Sequence, residues 1–531
     1  MRAALKMRLR FAPISMSLAA TLLGALPLCA AEVSQPESLP SSAAVESLGA
    51  GWPQQKPWPL APFKPIPLEE LANLELETAV RLADERNPVV RESYEQLVAA
   101  QNSLGAAYAT WWPVINATLN GGLYGERAYY NYAGALSGVG APSEGNPYAN
   151  ATAFNGSYFQ SLAQFDVVWN LLDPARTPSI WKNKYLVRQA VDAYVIARRD
   201  NRLRTKQAFI QLQRAVAKIQ TGQDLVSNDQ RLLSLAQSRV RLGVASQLEV
   251  AKQTTVLKSD QVNLVNAVSA AEVAQADLAE YLNEIQAAAI RPAQVLAPLG
   301  GWSASLDETI RSALGYRKVI EQQLAEVEAN KAQAQVDLSI YRPTIALVNS
   351  LYWNRGEGYT SIGPPWVAGA RSDLWNGSAL LQLTFTGFDG GQARMSAAAS
   401  MRRAKAAEAA VQQAVNQVRR DVQAFYSQVK QGRDAVLLAS QRTNAASNAL
   451  RLQSLRFNAG YGTVTDVVQA QQDLTSAVAD YIDELADYNV ALVSLARASG
   501  LTYQDDPALR QQLGDPLARL SIPSLGPGSR R

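Results

Sequence analysis

Hydrophobic and polar positions follow a helical period over most of this chain of 531 residues. The period is clearest in two stretches, in which apolar residues recur after three and four positions: Val411, Val415, Val418, Val422, Phe425 and Val429, then Leu474, Val478, Tyr481, Leu485, Tyr488, Leu492 and Leu495. This heptad spacing predicts two antiparallel helices that pack as a coiled coil and are joined at Gly460.

The predicted helices are very long. Asp173 to Gly243 spans 70 positions and Asp389 to Gly460 spans 71. At 1.5 Å per residue each segment reaches roughly 100 Å, which is far beyond an ordinary globular helix and requires coiled-coil packing. The alternative is a solitary helical hairpin or a cytoskeletal rod, which periodicity alone would favour.

A period of two residues, typical of strands, appears in four segments of about ten residues each: about 114–124, 161–171, 344–353 and 379–388. Each has one apolar and one polar face with aromatic residues near its ends, as a tilted strand in lipid requires. The stretches 125–157 and 355–375, rich in Gly, Asn, Tyr and Pro, are predicted to be surface loops. The alternative is that the strands are half-buried in a soluble β-sandwich.

The pattern occurs twice along the chain. The segment WWPVI at 111–115 matches YRPTI at 341–345, which lies 230 residues later, and Gly243 matches Gly460 at an offset of 217. We therefore expect a mainly α protein with β-strands, built from two tandem repeats of helix-strand-strand-long helix-helix. The repeats cover 67–285 and 306–503, and an equatorial segment at 286–305 joins them.

Four strands cannot close a barrel, because their unpaired edges would lie in hydrocarbon. Several chains would have to contribute strands to one barrel.

The chain begins with basic residues, an apolar run from Phe11 to Leu28 and small residues up to Ala31, which predicts a signal peptide at 1–31. A Pro/Ser-rich linker at 32–66 and an irregular tail at 504–531 are also predicted. Cys29 is the single cysteine, so cleavage after Ala31 leaves no disulfide; a lipid-acceptor role for Cys29 is the alternative.

The composition of the chain argues against several classes of function. Four of the 50 Lys and Arg residues lie in the predicted signal peptide, so the mature chain balances its 46 Asp and Glu residues, which argues against a nucleic-acid partner. Histidine is absent and so is a phosphate-binding loop, so we expect no enzyme, no cofactor and no metal. No apolar stretch after residue 31 is long enough for a transmembrane helix.

These features together resemble the TolC-type outer-membrane efflux family: the signal peptide, the doubled element order, the WP and RP corners at Pro113 and Pro343, and the two turns in which an acid follows glycine by six residues. The resemblance covers about residues 68–502. It implies a homotrimer whose chains form a 12-stranded outer-membrane β-barrel continued by a 12-helix coiled-coil tunnel in the periplasm.

The same resemblance implies a function. The protein would be a passive channel-tunnel in outer-membrane lipid that exports substrates from the periplasm or from an inner-membrane transporter, as in efflux pumps and type I secretion. A periplasmic adaptor protein would open it, and the transporter would be of the ABC, RND or MFS type. The alternative is a structural periplasmic coiled-coil protein without transport activity.

By resemblance, the turns at about 241–249 and 458–466 form the periplasmic tip, where the helices bend inward. Asp466 would contribute to a ring of three carboxylates at the entrance, with Glu249 nearby in the other hairpin. Well-known family members carry a second acid where this chain has Gln469, which puts the strength of cation selectivity in question. For Asp466 the alternative role is helix capping, with Thr463 or Thr465 as rival caps.

The remaining predicted sites are the turns and the corners. The hairpin tip and adaptor contact would consist of Gly243, Val244, Gly460, Tyr461 and Gly462. Glycine permits the backbone conformation that a tight reversal needs.

Pro113 and Pro343 would end the incoming helix at each helix-strand corner, because proline lacks the amide donor. A hinge role for these prolines is the alternative.

Overall fold

The structure is a computed structural model that describes residues 65–129, 153–243, 245–362, 367–459 and 461–513. These residues belong to the compact unit Phe63–Arg531, one of two into which the chain divides. The predicted signal peptide and all but the last two residues of the predicted linker lie outside the described residues.

Helices make up most of the described chain. In the first half they are α1 (Leu68–Ala72), α2 (Leu76–Arg86), α3 (Pro88–Ala109), α4 (Arg176–Arg241) and α5 (Gln247–Leu282). In the second half they are α6 (Leu306–Tyr316), α7 (Lys318–Leu338), α8 (Gln392–Asn458), α9 (Val464–Ser499) and α10 (Pro507–Leu513). Short 3-10 turns lie at Ala287–Ala289 and Ser339–Tyr341. Within this described part of the chain, no helix combines the length and hydrophobicity needed to cross a membrane.

The helices of the two halves match in length. The long helices α4 and α8 have 66 and 67 residues, and their partners α5 and α9 have 36 each. The helices that precede the strands, α3 and α7, have 22 and 21 residues. Each half also has a helix of 11 residues, α2 or α6, directly before the helix that leads to the strands.

The long helices form antiparallel hairpins, α4 with α5 and α8 with α9, and α7 packs beside both α4 and α8. The apolar heptad positions predicted in α8 and α9 form the contact between the two helices, called the seam below. The prediction is confirmed at the centre of the seam in α8, where Val418, Val422 and Val429 are at most 5% exposed. Every predicted seam residue of α9 is buried as well. Burying one such side chain contributes about 1.5–3 kcal/mol, so the seam is the main source of cohesion between the helices.

A second core surrounds the segment between the two halves. Leu71 and Leu74 pack with Phe209 of α4, Leu282 of α5 and Ile290. A parallel bridge joins Leu74 to Pro292, and the backbone N–H of Leu74 donates to the carbonyl of Arg291 at 3.0 Å. The segment after α5 is thereby fixed against the long helices.

The strands form one antiparallel sheet in the order β1 (Val114–Tyr129), β2 (Ala153–Leu172), β3 (Thr344–Ile362) and β4 (Val367–Thr384). The pairing of β2 with β3 joins the first half of the chain to the second. In the described residues the outer edges of β1 and β4 have no partner strand.

The strands extend further than the sequence indicated. The loops predicted at 125–157 and 355–375 are wrong where β1 continues to Tyr129, β2 begins at Ala153, β3 continues to Ile362 and β4 begins at Val367. The pairing register of β1 with β2 continues unbroken into these segments, as in Gly125 opposite Ser157, and that of β3 with β4 continues with one shift between Gly358 and Thr360. Strand pairing thus outweighs the low strand propensity of glycine and asparagine.

Two further boundaries need correction. The strand predicted to reach residue 388 ends at Thr384, where the chain leaves the sheet toward Gly390 and Gly391, whose φ angles are 69° and 89°. The tail predicted to be irregular from residue 504 contains α10, because Leu509 and Leu513 are buried at 0% and 3% exposure. Residues 514–531 lie outside the described part.

Candidate functional site

The tip of the first hairpin is a short turn between α4 and α5. Leu242 follows the last helical residue, and Gly243 has a φ of 77°, in the left-handed region that glycine adopts without strain. The N–H of Gly243 donates to the carbonyl of Val240 at 3.0 Å. Glu249 is the third residue of α5, and one of its carboxylate oxygens is buried without a donor among the described residues.

The tip of the second hairpin is built around a capping box. Thr463 precedes α9, and its hydroxyl accepts a hydrogen bond from the N–H of Asp466 at 3.2 Å. The Asp466 carboxylate accepts in return from the N–H and the hydroxyl of Thr463, at 3.1 and 2.8 Å. Asp466 therefore supports the cap that Thr463 makes, and of the two rival caps Thr463 takes the position.

These hydrogen bonds also fix the charge of Asp466. The hydroxyl of Thr463, followed by its backbone N–H, lowers the pKa of the Asp466 carboxyl below its ordinary value, because both donors favour the ionised form. The side chain is exposed. At neutral pH the tip thus carries an ionised carboxylate that faces solvent.

The two tips lie against each other. The ammonium of Lys252 in α5 donates to the Thr465 hydroxyl in α9 at 2.9 Å. The guanidinium of Arg239 in α4 lies 4.0 Å from the ring centroid of Phe457 and donates to the Phe457 carbonyl at 3.3 Å. Sequence reasoning missed these contacts, since their partners are more than 200 positions apart and no local pattern joins them.

Large apolar side chains at the tips face solvent. Leu242, Leu248 and Tyr461 are 76%, 62% and 84% exposed. Clustered exposed apolar groups on a folded protein are typical of a surface that contacts another protein.

The structure places most of the predicted tip residues in the two turns. Tyr461 donates its backbone N–H to Arg456 at 2.9 Å, and Gly462 lies so close to Phe457 that an added Cβ would be 3.0 Å from its backbone nitrogen. Gln469 lies one turn into α9 and donates to Asp473 at 3.0 Å. Val244 and Gly460 lie outside the described residues.

Asp466 and Glu249 occupy the same position, the third residue, of α9 and α5. They stand at the starts of two separate helices: Asp466 accepts from Thr463, and the Glu249 N–H donates to the Ser246 carbonyl, each within its own hairpin.

An ion-pair cluster fastens the hairpins together further from the tips. The Arg214 guanidinium and the Lys218 ammonium of α4 both contact the Asp483 carboxylate of α9 at 2.6 Å. Arg214 also contacts Asp487 at 3.3 Å. The hairpins are thus anchored to each other on the side away from the turns.

One face of the sheet is polar. The register places Asn116, Asp166, Ser350 and Ser378 in one row across the four strands. The Ser350 hydroxyl and the Gln164 amide both donate to the Asp166 carboxylate, the latter at 2.8 Å. This face carries a hydrogen-bonded polar surface.

The opposite face is apolar. One of its rows consists of Ala117, Phe165, Leu351 and Gly377, and another row on the same face includes Trp169, Leu347 and Leu381. Trp353 and Trp375 face each other midway along β3 and β4, with ring centroids 5.7 Å apart. Phe165, Leu351 and Leu381 are 47%, 46% and 69% exposed, so this face is uncovered in the single chain.

The predicted corners fall immediately before the first and third strands. Pro113 precedes β1 and Pro343 precedes β3, each a few residues after the end of a helix. Near the first corner the Arg176 guanidinium stacks on the Trp111 ring at 4.2 Å, and the Trp169 indole donates to the Trp111 carbonyl at 3.0 Å. These contacts fix the angle between helix and sheet.

Comparison with known proteins shows a family model and a relative that match most of this chain. The model of a family described as outer membrane efflux protein matches residues 79–284 and 309–501. Protein CyaE of Bordetella pertussis is 24% identical over 445 residues, which cover 83% of this chain and 86% of that protein.

Solved structures share the fold. A membrane protein from Pseudomonas aeruginosa matches with a TM-score of 0.64 at 20% identity, over 84% of this chain and 99% of its own. The CmeC outer membrane channel of Campylobacter jejuni matches with a TM-score of 0.62 at 15% identity, over 86% of this chain and 94% of its own.

Proposed function

The chain belongs to the outer membrane efflux protein family, and on this basis we propose that it is a passive, trimeric channel-tunnel that exports substrates across the outer membrane. Family membership makes it an outer-membrane efflux protein. The assembly, the gating and the partners are the proposed part.

The observation that carries the proposal is the two-faced sheet with two free edges. Its apolar face, including Leu351 and Leu381, is exposed in the single chain, and the outer edges of β1 and β4 lack partners in the described residues. The apolar face is stable against lipid but not against water, and the free edges are not stable in lipid unless they pair with other copies. Three copies contribute twelve strands, which suits one closed barrel with the polar row of Asp166 facing a water-filled lumen.

The helices support the same assembly. The matched lengths of α4 and α8, and of α5 and α9, support two tandem repeats of one unit. Three chains then supply six hairpins, or twelve helices at each level of a periplasmic tunnel. A helix of 66 residues extends roughly 100 Å, enough to carry the channel far from the membrane.

The hairpin tips are the proposed gate. Three copies of Asp466 form a ring of ionised carboxylates at the entrance, and Glu249 adds charge from the other hairpin. Such a ring attracts cations. A periplasmic adaptor binds the exposed Leu242, Leu248 and Tyr461 and shifts the balance between closed and open tips, because it binds the open tip more tightly.

A passive duct has no energy source of its own, so the proposed function requires partner proteins. An inner-membrane transporter of the ABC, RND or MFS type supplies the energy and the substrate selection, in an efflux pump or in type I secretion. The alternative function is a structural periplasmic coiled-coil protein, which the long hairpins alone would also permit.

Reconstitution of the purified full-length protein in planar lipid bilayers tests the proposal. We expect discrete conductance steps that prefer cations, with protein denatured by heat before reconstitution as the control. A protein that stays in aqueous solution without detergent and gives no conductance would support the structural alternative instead.

A further inference from the structure

Two carboxyl groups are buried against each other inside the first hairpin. Asp229 lies on α4 and Asp260 on α5, at 0% and 6% exposure. The Asp229 carboxyl is within hydrogen-bonding reach of Asp260. Both side chains are buried within a single chain, so assembly is not needed to remove them from water.

No cation neutralises this pair among the described residues. Both oxygens of Asp229 and one oxygen of Asp260 lack a donor, and the other oxygen of Asp260 accepts from the Asn263 amide at 3.2 Å. A lysine, Lys218, lines the cavity beside Asp260, but its ammonium is bound to Asp483 at 2.6 Å.

The other described charged groups at this level of α4, α5 and α9 are not buried with the pair. They sit at exposed or half-buried positions: Asp224 and Arg231 on α4, Lys252 and Lys258 on α5, and Asp473 and Asp480 on α9. Lys252 donates to Thr465, and Asp480 is bound to Arg442 of α8. Asp260 is the one charged group that shifts the pKa of Asp229.

The second hairpin shows that packing does not require these acids. At the offset of 217 residues that matches the two turns, Ala446 and Ala477 occupy the corresponding positions. Ala477 is fully buried and Ala446 packs against the core. The carboxyl pair is thus a property of one hairpin, not of the repeated unit.

Two ionised carboxylates this close and this buried repel each other strongly. Burial, followed by the neighbouring charge of Asp260, raises the pKa of Asp229 to about 8. The closed hairpin therefore holds one proton at neutral pH, and the protonated carboxyl donates to the ionised one.

The proton has a path to solvent. Asp260 lines a cavity of about 550 Å³ between α4, α5 and α9, together with Asn263 and Thr475. The cavity is large enough for water to reach Asp260, the member of the pair that lines it.

We propose that Asp229 and Asp260 form a proton-dependent latch that holds α4 against α5 while they share a proton and weakens when the proton leaves. Separation of the two helices releases the proton, so alkaline conditions favour the separated state of the first hairpin alone. The step from this hairpin to channel opening rests on the proposed function; the latch itself does not.

The direction in which the closed state responds to pH follows from the linkage between proton binding and closure of the hairpin. The separated state, with Asp229 in water, binds the proton only near its ordinary pKa of 3.8, whereas the closed state holds it up to about 8. The bound proton therefore stabilises the closed hairpin fully below pH 3.8. This stabilisation decreases as the pH rises from 3.8 to about 8, and it is absent above about 8. The opening equilibrium should rise about tenfold per pH unit within that window.

Amide hydrogen exchange of the full-length protein in detergent tests the latch, after correction for the intrinsic dependence of exchange on pH. Between about pH 6 and pH 9 we expect protection in α4 and α5 to fall near Asp229 and Asp260 while α8 and α9, with alanines at these positions, stay constant. D229N should remove the pH dependence, because its amide donates to Asp260 without titrating. D224N, at an exposed position of α4, is the matched control and should behave as the wild type.

Infrared spectroscopy of the wild-type protein gives a readout that needs no variant. A carboxylic-acid carbonyl band should be present near pH 6 and disappear by about pH 10. Absence of that band, or an equal response of both hairpins to pH, would overturn the latch. Neither readout depends on conductance, so a protein that fails as a channel would still reveal whether the latch exists.

Discussion

Thr463 and Asp466 hold each other at the start of α9: the threonine hydroxyl accepts from the aspartate N–H at 3.2 Å, and the carboxylate accepts the threonine N–H at 3.1 Å. Asp466 therefore combines a structural role with an exposed negative charge. The two roles are separable by substitution, because Thr463 takes part in the cap and carries no charge.

Asp466→Asn should reduce cation preference in reconstituted channels while assembly stays intact, because it removes the proposed ring of charge. Thr463→Ala weakens the cap but keeps the carboxylate, so it should retain the cation preference. Reversal potentials in a salt gradient measure both. Equal loss of selectivity in the two variants would assign the effect to capping and remove Asp466 from the gate.

The selectivity should also depend on pH with a definite sign. The pKa of Asp466 is held below its ordinary value by Thr463, so the ionised form and the stability that it gives are present above the ordinary value. Both are lost only as pH falls through the lowered pKa. Cation preference should therefore be constant around neutral pH and decline only in strong acid; a decline near neutrality would require another titrating group.

Two glycines with similar backbone angles should respond differently to alanine. Gly500 has a φ of 75°, and a Cβ there would lie 2.3 Å from the Tyr316 ring, whereas Gly243 has a φ of 77° and open space around it. Gly500→Ala should cost about 2–4 kcal/mol of unfolding free energy and Gly243→Ala about 1 kcal/mol. Thermal unfolding monitored by circular dichroism compares the two.

Because Gly243 lies at the tip, its alanine variant should also impair adaptor-dependent export in a complemented strain. Normal export by a stably folded Gly243→Ala protein would place the adaptor contact elsewhere.

The ion pair between Arg214 and Asp483 should contribute modestly to holding the hairpins together. Its atoms are 2.6 Å apart, and the side chains are 27% and 33% exposed, so solvent screens part of the attraction. A double-mutant cycle with Arg214→Ala and Asp483→Ala should give a coupling on the order of 1 kcal/mol. The same cycle on Arg81 and Glu85, an exposed pair within α2, should give less.

The Tyr488 hydroxyl should stabilise the joint between the two halves of the chain. It is buried and donates to the Gly300 carbonyl at 2.7 Å. Burial raises the pKa of Tyr488 to about 12, so the hydroxyl keeps its proton throughout the physiological range. Tyr488→Phe should cost about 1 kcal/mol of unfolding free energy, measured by denaturant titration, with no change in conductance. A stability equal to that of the wild type would show that the hydrogen bond contributes nothing net.

The helical part of the fold was readable from sequence because its signal is local and periodic. Val418, Val422 and Val429 lie on the seam where their spacing predicted them. The turns at Gly243 and Thr463 likewise follow from glycine and cap chemistry.

The ends of the strands were less predictable. Gly125 and Ser157 pair because the neighbouring residues are already in register, not because of their own propensity. Likewise, α10 forms around Leu509 because a hydrophobic core is available to bury that side chain.

The side-chain contacts between separate helices could not be predicted at all. Lys252 meets Thr465, and Asp229 meets Asp260, through packing that no local spacing encodes. Asp229 in particular resembles an ordinary exposed helix residue until the partner helix is in place.

The number of chains in the detergent-solubilised protein tests the central claim most directly, since the free edges of β1 and β4 must pair with other copies. Native mass spectrometry should show a single species with the mass of three mature chains, which persists at low protein concentration. A monodisperse single chain that keeps its sheet and stays soluble without detergent would contradict the account.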